Sequence, residues 1–147
     1  MLAMSIAKKK IKILLVDDHP VVRKGLLSCL SNKENLKIVG EASNGQEALK
    51  LAKEQEPDIV LMDVSMPGMD GLAVAEALRK DVPQTKILVL SMQSTRDPVL
   101  RLIKAGARGY VLKDAPTDEL VNAIETVYAG EAYFSKPVAQ IALNQYI

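Results

Sequence analysis

A three-layer α/β sandwich, with parallel strands covered on both faces by helices, is the fold this sequence predicts. Three observations carry the prediction. Short runs rich in Val, Ile and Leu recur, and each is followed by a longer amphipathic stretch, five times in all. The apolar runs are continuous rather than alternating, as strands buried on both faces require. At 147 residues the chain can bury one core but not two.

The first strand is predicted over "IKILLV" (11–16), followed by a helix over 20–31 whose first turn accommodates Pro20. A second strand, "LKIVGEA" (36–42), leads to a helix over 45–55. Pro57 stops that helix ahead of a third strand, "DIVLMD" (58–63). A helix over 71–80 ends before Pro83, and the fourth strand, "KILVLS" (86–91), follows. The fourth helix, 96–106, closes on Gly106, the fifth strand is "GYVLK" (109–113), and the fifth helix, 117–129, stops at Gly130. Residues 1–10 read as a lead-in, 11–131 as the globular unit, and 132–147 as a linker or short C-terminal helix capped by Ser135, with no core of its own to join.

Composition excludes several classes of function. The net charge is +1, far from the basic footprint of a nucleic-acid binder, so any charge-based function is local. The single cysteine, Cys29, cannot form a disulfide within the chain, which suits a reducing cytoplasm; it reads as a small buried residue on an amphipathic helix. No apolar run approaches the roughly 20 residues of a membrane span, and "MLAMSIAKKK" lacks the apolar segment of a signal peptide. A cytoplasmic protein without a membrane partner is expected.

In doubly wound sheets the working groups gather at the carboxyl ends of the strands. Here strand one ends in Asp17 and Asp18, strand three in Asp63, strand four in Ser91 and strand five in Lys113. Two carboxylates about 4 Å apart repel by roughly 4 kcal/mol at an effective dielectric of about 20. Three together call for a cation, and oxygen ligands of this kind suit hydrated Mg²⁺ or Mn²⁺ rather than zinc. A metal beside a carboxylate, a lysine and a hydroxyl makes a phosphoryl-handling site, with Lys113 as a compact positive charge and one carboxylate as nucleophile. Asp63 is the favoured nucleophile, as the lone carboxylate on the central strand. Its loop, "DVSMPGMDG", has Pro67, Gly68 and Gly71 for a tight turn. Asp70 is expected to cap the next helix, and His19, directly before Pro20, to cap a helix or lie exposed rather than bind metal or phosphate.

At these residues the sequence resembles the response-regulator receiver domain of two-component signalling, over about Ile11 to Glu131. "LLVDDHPVVRKGL", "PDIVLMDVSMPGMDGL", "KILVLSM" and "AGARGYVLKDA" occur in the family's order and spacing. The resemblance implies a flavodoxin-like (βα)5 sandwich with a five-stranded parallel sheet of order 2-1-3-4-5. It implies that Asp63 is the phosphoacceptor, supplied by a sensor histidine kinase, and that the chain is a signalling receiver rather than an enzyme acting on external substrates. Asp18, Asp63 and the main-chain carbonyl of Ser65 would hold Mg²⁺, with Asp17 contributing through water. Lys113 would contact the phosphoryl group, Ser91 would be the switch hydroxyl, and Tyr110 the aromatic that moves with it. Ser65 and Gln93 occupy positions that tune phosphoryl lifetime in the family. Asp114 stands where many receivers have proline, so no cis peptide is expected after Lys113.

The wording "VVRKGL", the "SM" after strand four and "AGARGYVLKDA" resemble the NarL/FixJ subfamily, in which a helix-turn-helix DNA-binding domain follows the receiver. About 17 residues after Gly130 cannot supply that domain. The resemblance therefore implies a receiver taken from a longer transcription regulator, able to dimerise on phosphorylation and to reach DNA only through a domain absent here; a stand-alone receiver acting on a protein partner is the alternative. An aspartate-nucleophile phosphatase fits less well, because such enzymes use D-x-D and a cap. A flavin or nucleotide carrier would meet repulsion from "DDHP".

Overall fold

A computed structural model of the chain describes residues 10–64, 70–92 and 95–145. Strands and helices alternate through it: β1 (Ile11–Val16), α1 (Pro20–Ser31), β2 (Leu36–Ala42), α2 (Gly45–Gln55), β3 (Ile59–Asp63), α3 (Gly71–Asp81), β4 (Lys86–Ser91), α4 (Arg96–Lys104), β5 (Ala107–Leu112) and α5 (Thr117–Tyr128). The tail adds β6 (Tyr133–Phe134) and α6 (Lys136–Asn144).

All strand pairs are parallel, and their order is β2-β1-β3-β4-β5-β6. The expected five-stranded sheet of order 2-1-3-4-5 is therefore corrected to six strands, with β6 added outside β5. Tyr133 and Phe134 pair with Gly109 and Tyr110. Two residues are too short to leave a periodic signal in sequence, and β5 without them would be an open edge. The expectation that the tail has no core to join is also wrong, since Val138 of α6 is fully buried.

Side chains alternate across the sheet, as the strand period dictates. Leu14, Val16, Val60, Met62, Val89 and Tyr110 face one layer, built from α2, α3, α4 and Val138 of α6. Ile13, Leu15, Ile59, Leu61, Leu88 and Val111 face the other, built from α1 and α5. Each such side chain contributes roughly 1.5–3 kcal/mol by leaving water. The central strands are thus held on both sides, and the polar groups at their carboxyl ends inherit that rigidity.

Helix boundaries follow local chemistry. Asn44 accepts from the Glu47 amide at 2.9 Å while Glu47 accepts from the Ser43 amide at 2.8 Å, closing the start of α2 from both directions. Gly106 and Gly130, with φ of 111° and 100°, supply the left-handed residue that ends α4 and α5. After Gly130 the Glu131 amide returns to the Thr126 carbonyl at 3.1 Å, completing a Schellman closure. Cys29, expected to be buried, is exposed. Leu30 takes the buried position of α1, and its neighbour in sequence lies about 100° around the helix. None of the helices among the described residues is long and apolar enough to cross a membrane.

Candidate functional site

The carboxyl ends of β1, β3, β4 and β5 lie side by side, so their terminal residues converge. Asp63 ends β3 and pairs in register with Leu90, placing it next to Ser91, the last residue of β4. Ser91 pairs with Leu112, and its carbonyl accepts from the Lys113 amide at 2.9 Å. The Asp17 amide donates to the Ala42 carbonyl at 2.9 Å, carrying the ladder one residue past β1.

The Lys113 Nζ lies 2.5 Å from Asp63 Oδ2, and both side chains are withdrawn from water, at 14% and 0% exposure. Asp17 is likewise 0% exposed. Its Oδ1 accepts from the His19 amide at 2.7 Å, but its Oδ2 is buried without a hydrogen-bond donor among the described residues. Burial, with the Asp63 carboxyl beside it, pushes the Asp17 pKa up to about 6 against the pull of the His19 amide and Lys113. The two carboxyl groups are buried side by side, and the Lys113 ammonium is paired with Asp63.

Ser91 is fully buried and hydrogen-bonded to the Tyr110 hydroxyl. Burial raises the Tyr110 pKa, and the bond from Ser91 opposes that rise. Tyr110 is 0% exposed.

Asp18 is half-buried, and with Asn44, Gly45 and Asp70 it lines a concavity of about 390 Å³. No three His, Cys, Asp or Glu side chains among the described residues are grouped closely enough to hold a metal as they stand. His19 is exposed at the N-cap of α1 and contributes its main-chain amide; Asp70 caps α3 by accepting from the Ala73 amide at 3.2 Å. The Ser65 carbonyl and Gln93 lie outside the described residues. There are no cis peptides among the described residues, and Asp114 follows Lys113 through a trans bond.

Sequence reasoning missed Arg23. Its Nη1 donates to the Asp17 carbonyl at 2.7 Å, and its Nε lies 3.2 Å from Glu41 Oε1. It fastens the "DDHP" turn to α1 and β2. The available signal was an arginine one turn into the helix that follows the paired aspartates.

The residues fit a hard divalent cation: the exposed end of the cluster offers only oxygen donors, and the Asp17 Oδ2 lacks a partner. Together they offer a buried carboxylate, a fixed positive charge and a buried hydroxyl.

Comparison with known proteins identifies the family. Residues 13–125 match the model for the response regulator receiver domain. The response regulator GacA of Pseudomonas aeruginosa is 44% identical over 137 residues, which are 92% of this chain and 64% of that protein. The transcriptional regulatory protein MctR of Rhizobium johnstonii is 38% identical over 138 residues, 94% of this chain and again 64% of that protein. This chain therefore spans just under two thirds of the length of these relatives. The crystal structure of a LuxR-family two-component response regulator from Aurantimonas sp. SI85-9A1 superposes with a TM-score of 0.86 at 36% identity, covering 95% of this chain and all of that one. With a family match over most of its length and relatives of this similarity, the chain belongs to the response regulator receiver domain family.

Proposed function

We propose that Asp63 accepts a phosphoryl group from a sensor histidine kinase and that Lys113 and Ser91 manage the charge it brings. The observation that carries this reading is the buried Lys113 and Asp63 pair beside Asp17, whose carboxyl has an oxygen without a donor. An Asp63 oxygen attacks phosphorus as the phosphorus–nitrogen bond of a phosphohistidine breaks, and the departing ring nitrogen keeps the electron pair. Lys113 stays with the phosphoryl oxygens, and Ser91 turns its hydroxyl from Tyr110 toward them, so the three are assigned to the phosphoryl site and Ser91 with Tyr110 to the switch.

Asp17, Asp18 and Asp63, with the Ser65 carbonyl, are the residues that would hold Mg²⁺ or Mn²⁺, and the ion would supply charge neutralisation on the transferring oxygens. The raised Asp17 pKa supports that assignment, because a cation is what two crowded carboxylates lack. We take residues 11–131 as the phosphoacceptor unit and 132–147 as its C-terminal attachment. Its setting is the cytoplasm, and it is a signalling protein that turns over only its own phosphoryl group. Output runs through a DNA-binding domain beyond this sequence, with phosphorylation-dependent homodimerisation as an intermediate step; the name of the MctR relative supports a transcriptional role.

The test is incubation with Mg²⁺ and a small acyl phosphate, read by intact mass. One phosphoryl group adds to the wild-type chain and none to Asp63→Asn. Equal addition to both would overturn the assignment.

A further inference from the structure

The tail is bolted to the strand that carries both Tyr110 and, one residue past its end, Lys113. The Ser135 amide donates to the Tyr110 carbonyl at 2.9 Å, and the Ser135 Oγ accepts from the Leu112 amide at 3.1 Å. The same hydroxyl donates to Glu119 Oε2 at 3.3 Å, where the Tyr133 hydroxyl also donates, at 2.9 Å. Ser135 stands at the N-cap of α6, yet its side chain makes no bond into that helix. Its hydroxyl is spent on β5 and α5 instead, and Ser135 is itself buried.

Beyond Ser135, α6 lies over the layer that holds Tyr110. Val138 is fully buried in that cluster with Val99 and Leu102 of α4, and Phe134 and Ile141 pack against it. The far end is tied to the start of α4, where the Arg96 guanidinium donates to Gln145 at 2.8 Å. Tyr110 thus shares its core cluster with the chain's own tail and pairs with Phe134, while its hydroxyl bonds Ser91 on the site side.

We propose that residues 133–145 form a strap whose seating on β5 and α4 is coupled to the Asp63 site through Ser91, Tyr110 and Ser135. This rests on the reading that Ser91 turns toward a phosphoryl group on Asp63. A serine hydroxyl has one proton to donate. When it goes to a phosphoryl oxygen, the Ser91–Tyr110 hydrogen bond is given up, and the ring and its cover repack. Engagement of the site loosens the strap. By linkage, a loosened strap favours the engaged site by the same factor. Ser135 is a positioning residue in this scheme, acting through β5 rather than on the phosphoryl group.

Hydrogen exchange of the full chain tests it, with Mg²⁺ and beryllofluoride as the phosphoryl mimic. The mimic is expected to speed exchange of amides in 136–144 by about fivefold or more, while amides of β1 and β3 keep their protection. Ser135→Ala should speed the same amides without the mimic and bind beryllofluoride about fivefold more tightly; Val138→Ala, a milder change on α6, should act in the same direction. Ser91→Ala removes the bond to Tyr110 and should loosen the tail with no phosphoryl group present. Mimic binding with unchanged tail exchange overturns the strap and leaves the phosphoacceptor reading intact. Failure of the wild-type chain to bind the mimic overturns that reading, and the strap is then decided by Ser91→Ala, which refutes it if tail exchange stays at the wild-type rate.

Discussion

The two ends of the sheet treat charge in opposite ways. At the amino ends of the strands, Lys12, Arg79, Lys86 and Arg108 donate to the carbonyls of Gln55, Lys104, Tyr128 and Gly130 at 3.4, 3.0, 3.2 and 3.2 Å. Those carbonyls lie at or just past the ends of α2, α4 and α5, where the helix dipole is negative and a cation is stabilising. At the carboxyl ends, Lys113 pairs with buried Asp63, and beside them buried Asp17 has a carboxylate oxygen without a donor among the described residues. One end matches these four cations to carbonyl partners. The other leaves a surplus of negative charge in a dry place, which is the condition for binding a cation and for doing chemistry.

The largest expected contrast is in phosphoryl transfer. Asp63→Asn abolishes uptake from acyl phosphate, and Arg79→Ala, at the opposite end, leaves it at the wild-type level in the same intact-mass assay. Next, Lys113→Ala lowers the uptake rate by about 100-fold, the usual cost of losing one charge-stabilising donor. It also strands the buried Asp63 carboxylate, so urea unfolding at pH 7 should show a loss of about 3 kcal/mol.

A smaller effect follows from Asp17. Its pKa is about 6 in the folded chain against an ordinary 3.8, so the folded state binds the extra proton between those values. The stability it contributes is fully present below 3.8 and is lost as pH rises through 6. Without divalent cation, denaturation between pH 4 and 7 should reveal a loss on the order of 2 kcal/mol, partly restored at pH 7 by Mg²⁺.

The smallest effects belong to the matched end. Lys86→Ala or Arg108→Ala should cost no more than about 1 kcal/mol in the same unfolding experiment. Gly106→Ala should cost about 1 to 2 kcal/mol. Its φ is 111°, and an added Cβ would meet the Arg79 side chain at 2.9 Å.

The matched architecture was largely legible in the sequence. Pro20, Gly106 and Gly130 mark helix boundaries because each fixes or frees a backbone angle, and continuous apolar runs declare strands buried on both faces. The convergence of Asp63, Ser91 and Lys113 follows from parallel strands ending together. What escaped depended on long-range packing. Tyr133 and Phe134 form a strand only because β5 offers an edge, and Ser135 looked like a helix cap while its hydroxyl serves β5 and α5. Cys29 lies exposed because the buried stripe of α1 runs through Leu30.

The central claim is that the crowding of Asp17 against Asp63 costs stability and creates the cation site. It is tested most directly by urea unfolding of the wild-type chain and Asp17→Asn at pH 7, each with and without Mg²⁺. Without the metal, the asparagine should stabilise the chain by about 1 kcal/mol, because it removes a buried charge and supplies a donor where the Asp17 oxygen has none. With Mg²⁺, the wild-type chain should gain stability and the variant should gain much less. A variant that is less stable than the wild type without metal, together with equal gains from Mg²⁺ in both, would contradict the claim.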